Sequence, residues 1–215
     1  MEAVRDAGHL IDWAVAARTL AGQTVSGERY LVHPLPIGVL VAVVDGLGHG
    51  EEAAAATNLA IVALRGHAHE PVVPLLQRCH DQLKGTRGVV MSLASFSAQH
   101  SSLTWAGVGD VEGILLRAAP SAQPARESIP LRGGVLGYQL PLLRAATLSM
   151  TPGDLLILAT YGIRSSFAQE PLLHNPLIRQ AADGPQQLAN YLLVHYGKET
   201  DDALVFVARY RGDPP

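Results

Sequence analysis

Charge is what this sequence has least of. Asp, Glu, Lys and Arg make up 16% of its 215 residues, against roughly a quarter in an average soluble domain, so most of the chain has to be buried and extended disorder is excluded. No run of Lys or Arg occurs and the formal net charge is -3; nothing in it attracts a phosphate backbone, which excludes nucleic acid as the expected partner. The single cysteine, Cys79, can form no internal disulfide, and the first twenty residues have neither the basic start nor the apolar core of a signal peptide. A cytoplasmic protein is therefore expected. The longest apolar run, GVLVAVV at 38–44, falls far short of the roughly 20 residues that cross a bilayer as a helix, so no membrane span is expected. A Walker lysine loop, a GxSxG elbow, a CxxC pair and internal repeats are all missing.

What is present reads as one domain over 1–215, apolar at 48% and large enough for a substantial core. Residues 10–18 and 30–34 read as strands, and 38–44 as a strand too apolar on both sides to be half exposed. After DGLGHG, the stretch EEAAAATNLAIVALRG is a helix, with Glu in its first turn and Gly66 as a stop; 71–83 is a second, antiparallel to it. RGVVMSLASFSA, SSLTWAGVG and VEGILLRAA follow at hairpin distances, as an antiparallel meander. AAPSAQPARE is a connection and IPLRGGVLGYQLP a glycine-rich hairpin. TPGDLLILAT turns at Pro152-Gly153 into another buried strand, helices are expected over 171–182 and 185–196, and 203–209 closes the chain as a strand. Hairpins in place of regular βαβ alternation argue for a layered α+β domain, largely antiparallel, with two packed sheets covered by helices.

The sparse acids stand at the ends of the most apolar strands: Asp45 after GVLVAVV, Asp110 after LTWAGVG, Asp201 and Asp202 before ALVFVA. In antiparallel sheets the end of one strand lies beside the start of the next, so these carboxylates can gather on one rim. Crowded there they raise one another's pKa, a conflict that a divalent cation resolves, and oxygen-only ligands favour magnesium or manganese over zinc. Taken singly, each Asp could equally cap a helix or start a turn. Strand, DGLGHG and helix also have the outline of a dinucleotide-binding fingerprint, but Glu51 takes the third glycine position, Glu51 and Glu52 would repel a pyrophosphate, and a second helix follows where a strand is required.

VVDGLGHG, Gly109-Asp110, LATYGI and TDDALVFVAR, in this order over nearly the whole chain, resemble the metal-dependent protein serine/threonine phosphatases (PPM family), and within them the SpoIIE-type branch. SGERYLV, WAGVGDVEG, GVLGYQLP and PGDLLILAT are most similar to the small RsbX-type stressosome feedback phosphatases. The resemblance implies a four-layer αββα sandwich of two mostly antiparallel sheets flanked by helix pairs, with one or two manganese or magnesium ions in a cleft between the sheets. It implies hydrolysis of phosphoserine or phosphothreonine on STAS-domain proteins of a stressosome-type complex, by metal-activated water without a covalent intermediate, and a monomer. By the same resemblance Asp45 bridges the metals, the Gly46 carbonyl is a ligand beside it, Glu28 serves the second metal, Asp201 with its neighbour Asp202 comes from the last strand, and Asp110 helps hold a weak third ion. His49 can protonate the leaving seryl oxygen, a proton-transfer role that suits an imidazole, though at a helix start it could also be plain surface.

One position departs from the pattern: the family's TDG motif is Thr160-Tyr161-Gly162 here. A phenol with a pKa near 10 is neutral and a poor ligand for a hard cation. Two readings follow, a phosphatase of reduced activity, or a pseudophosphatase that mainly binds its STAS partner. His67 and His69, two apart near a helix end, do not share a face and read as dipole-compensating surface rather than a metal pair. Trp13, Trp105 and Cys79 read as core, and Gly133, Gly134 and Gly137 as a hairpin at the edge of the cleft.

Overall fold

The computed structural model describes residues 5–7, 10–119 and 121–212. Along them run β1 (Arg5–Ala7), β2 (Ile11–Arg18), β3 (Glu28–Leu35), β4 (Gly38–Gly46), α1 (Glu51–Gly66), α2 (Val72–Gln82), β5 (Val89–Ser97), β6 (Ser102–Val108), β7 (Glu112–Leu116), β8 (Arg126–Ser128), β9 (Leu131–Arg132), β10 (Ala146–Ser149), β11 (Leu155–Ala159), α3 (Pro176–Gln180), α4 (Gly184–Tyr196) and β12 (Ala203–Tyr210). One sheet has the order β1-β2-β12-β11-β7-β8, the other β10-β6-β5-β4-β3 with β9 beside β6.

The runs that are apolar on both sides find a partner on both sides. In β4, Val39, Val41 and Val43 point into the space between the sheets, while Leu40, Ala42 and Val44 meet the helix pair α1 and α2. In β12, Leu204, Phe206 and Ala208 face inward, and Ala203, Val205 and Val207 face the layer that contains α4. A strand's period of two thus serves two cores at once, which gives the α+β, αββα order of layers that the resemblance implied. Trp13, Trp105 and Cys79 are buried as expected.

Two expectations are corrected. The meander stops at β6: β5 and β6 pair, but β7 crosses to the other sheet, where it pairs with β11 and β8, because Ile114 and Leu116 complete the core beneath α4. The helix expected over 171–182 is split into a 3-10 turn, Pro171–His174, and α3. Pro176 has no N–H and disfavours helical backbone at the residue before it, so Asn175 leaves the helix and its side chain accepts a hydrogen bond from the Leu177 N–H. The glycine-rich stretch closes as a tight hairpin between Val135 and Gln139, as expected, and β9 before it runs parallel to β6.

Candidate active site

The inward-facing positions of four strands end in polar groups at the same rim. Counting by twos out of the inner core, β4 arrives at Asp45, β3 at Glu28, β11 at Thr160 and β12 at Asp202. Glu28 lies directly opposite Asp45 in the β3/β4 register, so both carboxylates leave the sheet on the same side. The loops after β4, β6 and β11 and before β12 enclose an open cleft of about 580 Å³, lined among others by Asp45, Gly46, His49, Asp110, Tyr161 and Asp201.

Two glycines make this convergence possible. A Cβ on Gly46 would stand 2.5 Å from the Ala53 carbonyl oxygen, and one on Gly162 1.8 Å from that of Asp202. The first lets α1 close on the end of β4; the second lets the turn after β11 lie against the start of β12. Gly162→Ala is expected to lower stability by at least about 3 kcal/mol, the upper range for overpacking, since backbone cannot yield as a side chain can. Thermal unfolding measures it.

Burial sets the electrostatics. Glu28 is 4% exposed, and neither carboxylate oxygen has a hydrogen-bond partner. The Thr160 hydroxyl lies close enough to oppose the effect slightly, but it donates to the Leu204 carbonyl oxygen and accepts from the Leu204 N–H. Burial, followed by repulsion from Asp45, pushes Glu28 up to about 9. Burial also comes first for Asp45, with repulsion from Asp110, Asp201 and Asp202 next, and raises it to about 7 against a backbone hydrogen bond from Tyr161. Buried, unpartnered and mutually repelling oxygens suit a hard divalent cation. Among the described residues no three His, Cys, Asp or Glu side chains form a complete ligand group. A cation here would complete its shell with backbone carbonyl and water, as magnesium commonly does.

Asp202, expected among the ligands, has both carboxylate oxygens engaged by backbone N–H groups. Its Oδ1 accepts the Leu20 N–H and its Oδ2 the Gly27 N–H, both at 2.7 Å, and it is not among the cleft-lining residues. It straps the segment before Glu28 to the start of β12. Counting by twos back from Phe206 and Leu204 would have separated it from Asp201, which lines the cleft and accepts the Asp202 N–H at 2.9 Å. Asp202→Ala is expected to cost roughly 3–5 kcal/mol, from two charge-assisted bonds lost and buried donors left open, and to lower the melting temperature by about 6–20 °C.

Lys198 went unnoticed in the sequence, where no motif marks it. Its Nζ sits 3.3 Å from the centroid of the Tyr161 ring, itself 54% exposed on the cleft wall. His49 is exposed on the same wall. His67 has its Nδ1 3.4 Å from Glu70, and burial pushes the Cys79 thiol up to about 12, which leaves it unreactive. Among the described residues no helix is long and apolar enough to cross a membrane.

The model of the family described as Stage II sporulation protein E (SpoIIE) matches residues 37–211. The phosphoserine phosphatase RsbX of Bacillus subtilis (strain 168) is 27% identical over 94 residues, 44% of this chain. The matched stretch spans only about half of that relative's length, 47%. A solved chain from work on the bacterial stressosome, as a modular system adapted to control secondary messenger signaling, is 30% identical with a TM-score of 0.83, covering 93% of this chain and 99% of that one. A crystal structure of RsbX in complex with magnesium superposes with a TM-score of 0.78 at 22% identity, covering 98% of this chain and 100% of that one; at that identity it supports the fold.

Proposed function

From the premise that the chain belongs to the SpoIIE family, we propose that it is a metal-dependent protein serine/threonine phosphatase whose substrates are phosphorylated STAS-domain proteins of a stressosome-type complex. The observation that carries the metal dependence is the buried, partnerless carboxylate of Glu28, which lies behind the cleft lining directly opposite Asp45, itself a lining residue. A protein retains so costly a group where something else neutralises it.

Asp45, the Gly46 carbonyl and Glu28 would hold one divalent cation, manganese or magnesium, while Asp201 and Asp110 on the cleft wall are available to a second or a weaker one. Tyr161 adds no charge to that set. A cation bound there would supply Lewis acidity, lowering the pKa of a bound water from its bulk value of about 15.7 toward neutrality and offsetting phosphoryl charge. His49, exposed at the start of α1, donates a proton to the departing seryl or threonyl oxygen. Asp202 fixes the backbone that leads into Glu28 and adds its charge to the repulsion on Asp45. No side chain serves as nucleophile, so no phosphoenzyme forms.

Phosphate release from a phosphorylated STAS protein, measured with manganese and with chelator, tests this reading; turnover that survives the chelator overturns the metal dependence. Stability supplies an independent readout. Because Glu28 and Asp45 bind protons more tightly folded than unfolded, the metal-free fold loses stability as pH climbs from about 4 through 7 for Asp45 and on to 9 for Glu28. Manganese at about 100 times its Kd contributes about 2.7 kcal/mol, roughly 5–10 °C in melting temperature. The gain is expected to be larger at pH 8, where Asp45 is already ionised, than at pH 6, where the cation must first displace its proton. A pair of melting curves at each pH decides it.

A further inference from the structure

A dianionic phosphoryl group has to enter a cleft whose wall carries Asp45, Asp110 and Asp201 and, among its lining residues, no Lys or Arg. Bound metal offsets part of that repulsion, yet the Tyr161 side chain itself brings no charge to hold metal. The basic side chains that reach the lining differ in how free their charge is. Arg87 lies against Gly48, but its guanidinium is engaged by Glu52. Lys198 meets the lining at Tyr161, with its ammonium over the ring, and no carboxylate among the described residues pairs with it. A ring face holds a cation in place without neutralising it, so the ammonium keeps its hydrogen-bond donors available. The Lys198 backbone is held as well: its N–H donates to the Gly162 carbonyl at 2.7 Å and its own carbonyl accepts from Arg18.

We propose that Lys198, laid on the Tyr161 ring, is a substrate-binding residue that takes a phosphoryl oxygen of the phosphoserine or phosphothreonine side chain at the Tyr161 edge of the cleft. Tyr161 then acts as a platform for a positive charge at a position where the resemblance implied a negative one. The inference rests on the phosphatase reading above, and it adds a specific donor to the phosphate. A flexible four-carbon stem lets the ammonium leave the ring for the phosphate and return when the product departs.

Steady-state kinetics on a phosphoserine peptide with saturating manganese, together with competitive inhibition by inorganic phosphate, test it. Lys198→Gln is expected to raise both KM and the phosphate inhibition constant about tenfold, the worth of one charge-assisted hydrogen bond, while kcat changes by less than about threefold. Lys198→Glu should raise both further, and Lys198→Arg should return them to within about threefold of the parent. Manganese affinity, read by calorimetry, should be the same in the parent, Lys198→Gln and Lys198→Arg. Unchanged KM and phosphate inhibition in Lys198→Gln, with an active parent, overturn the role of Lys198 alone. An inactive parent overturns the phosphatase reading instead, and calorimetric titration of inorganic phosphate into the manganese-loaded proteins then decides Lys198: equal affinities in parent and Lys198→Gln refute it.

Discussion

Asp45→Asn is expected to lower manganese-dependent phosphate release by on the order of 10³-fold or more, the rate equivalent of several kcal/mol of charge stabilisation supplied by a correctly held cation. The amide keeps the shape of the side chain and removes the anion. It also changes the metal-free protein in the opposite direction. Asp45 is raised to about 7, with repulsion from Asp110, Asp201 and Asp202 behind the burial, so above pH 7 the ionised carboxylate weighs against the fold. A neutral amide in its place carries no such penalty. In chelator at pH 8 the variant should therefore melt higher than the parent by several degrees, at about 2–4 °C per kcal/mol, and the difference should shrink toward pH 5. A dead enzyme with a sturdier fold would separate a lost ligand from a lost structure. Retained turnover, or a melting temperature that falls at pH 8, would contradict the placement of Asp45 at the metal.

The second large effect concerns Tyr161→Asp. Restoring a carboxylate to the wall adds a hard ligand to a site that has no complete ligand group among the described residues. Manganese affinity, measured by calorimetry, is expected to tighten at least about tenfold and turnover to rise by a similar factor, since charge count tunes hard-cation affinity. The backbone has no reason to move: Gly162 is seated against the Asp202 carbonyl, and the side chain at 161 is largely in solvent. Lys198, deprived of its ring, would pair with the new carboxylate until metal displaces it, so the gain should be greater in Tyr161→Asp combined with Lys198→Gln than in the single variant. No gain in affinity in either protein would show that the position does not face the cation.

Much of the architecture was legible because its strands carry apolar residues on both faces. Runs such as GVLVAVV can be satisfied only between two layers, and DGLGHG before an Ala-rich helix marked the end of one. The crossing of β7 to the other sheet was not legible. Gly109, Asp110 and Val111 separate β6 from β7 by a hairpin-like distance, and the choice of partner is made by α4 and β11, which come much later in the chain. The break at Asn175 was written in Pro176, and the backbone rule for that proline outweighs the amphipathic pattern around it. The acids were legible as a set, through strand ends and through family resemblance. What each one does was less so: Asp201 and Asp202 are neighbours of one type, and only the parity of β12 sends the second inward to Leu20 and Gly27. Lys198 had no sequence signal, since a lysine stacking on an aromatic far earlier in the chain depends wholly on where the fold brings them.

The strand that follows the two adjacent aspartates is an interior one. β12 lies between β2 and β11, it follows directly on Asp201 and Asp202, and its residues pair with a strand near the beginning of the polypeptide. The ladder therefore joins residues 11–18 to residues 203–210, and the strand that sets Asp201 and Asp202 at the rim cannot peel away without breaking backbone pairing on both of its sides.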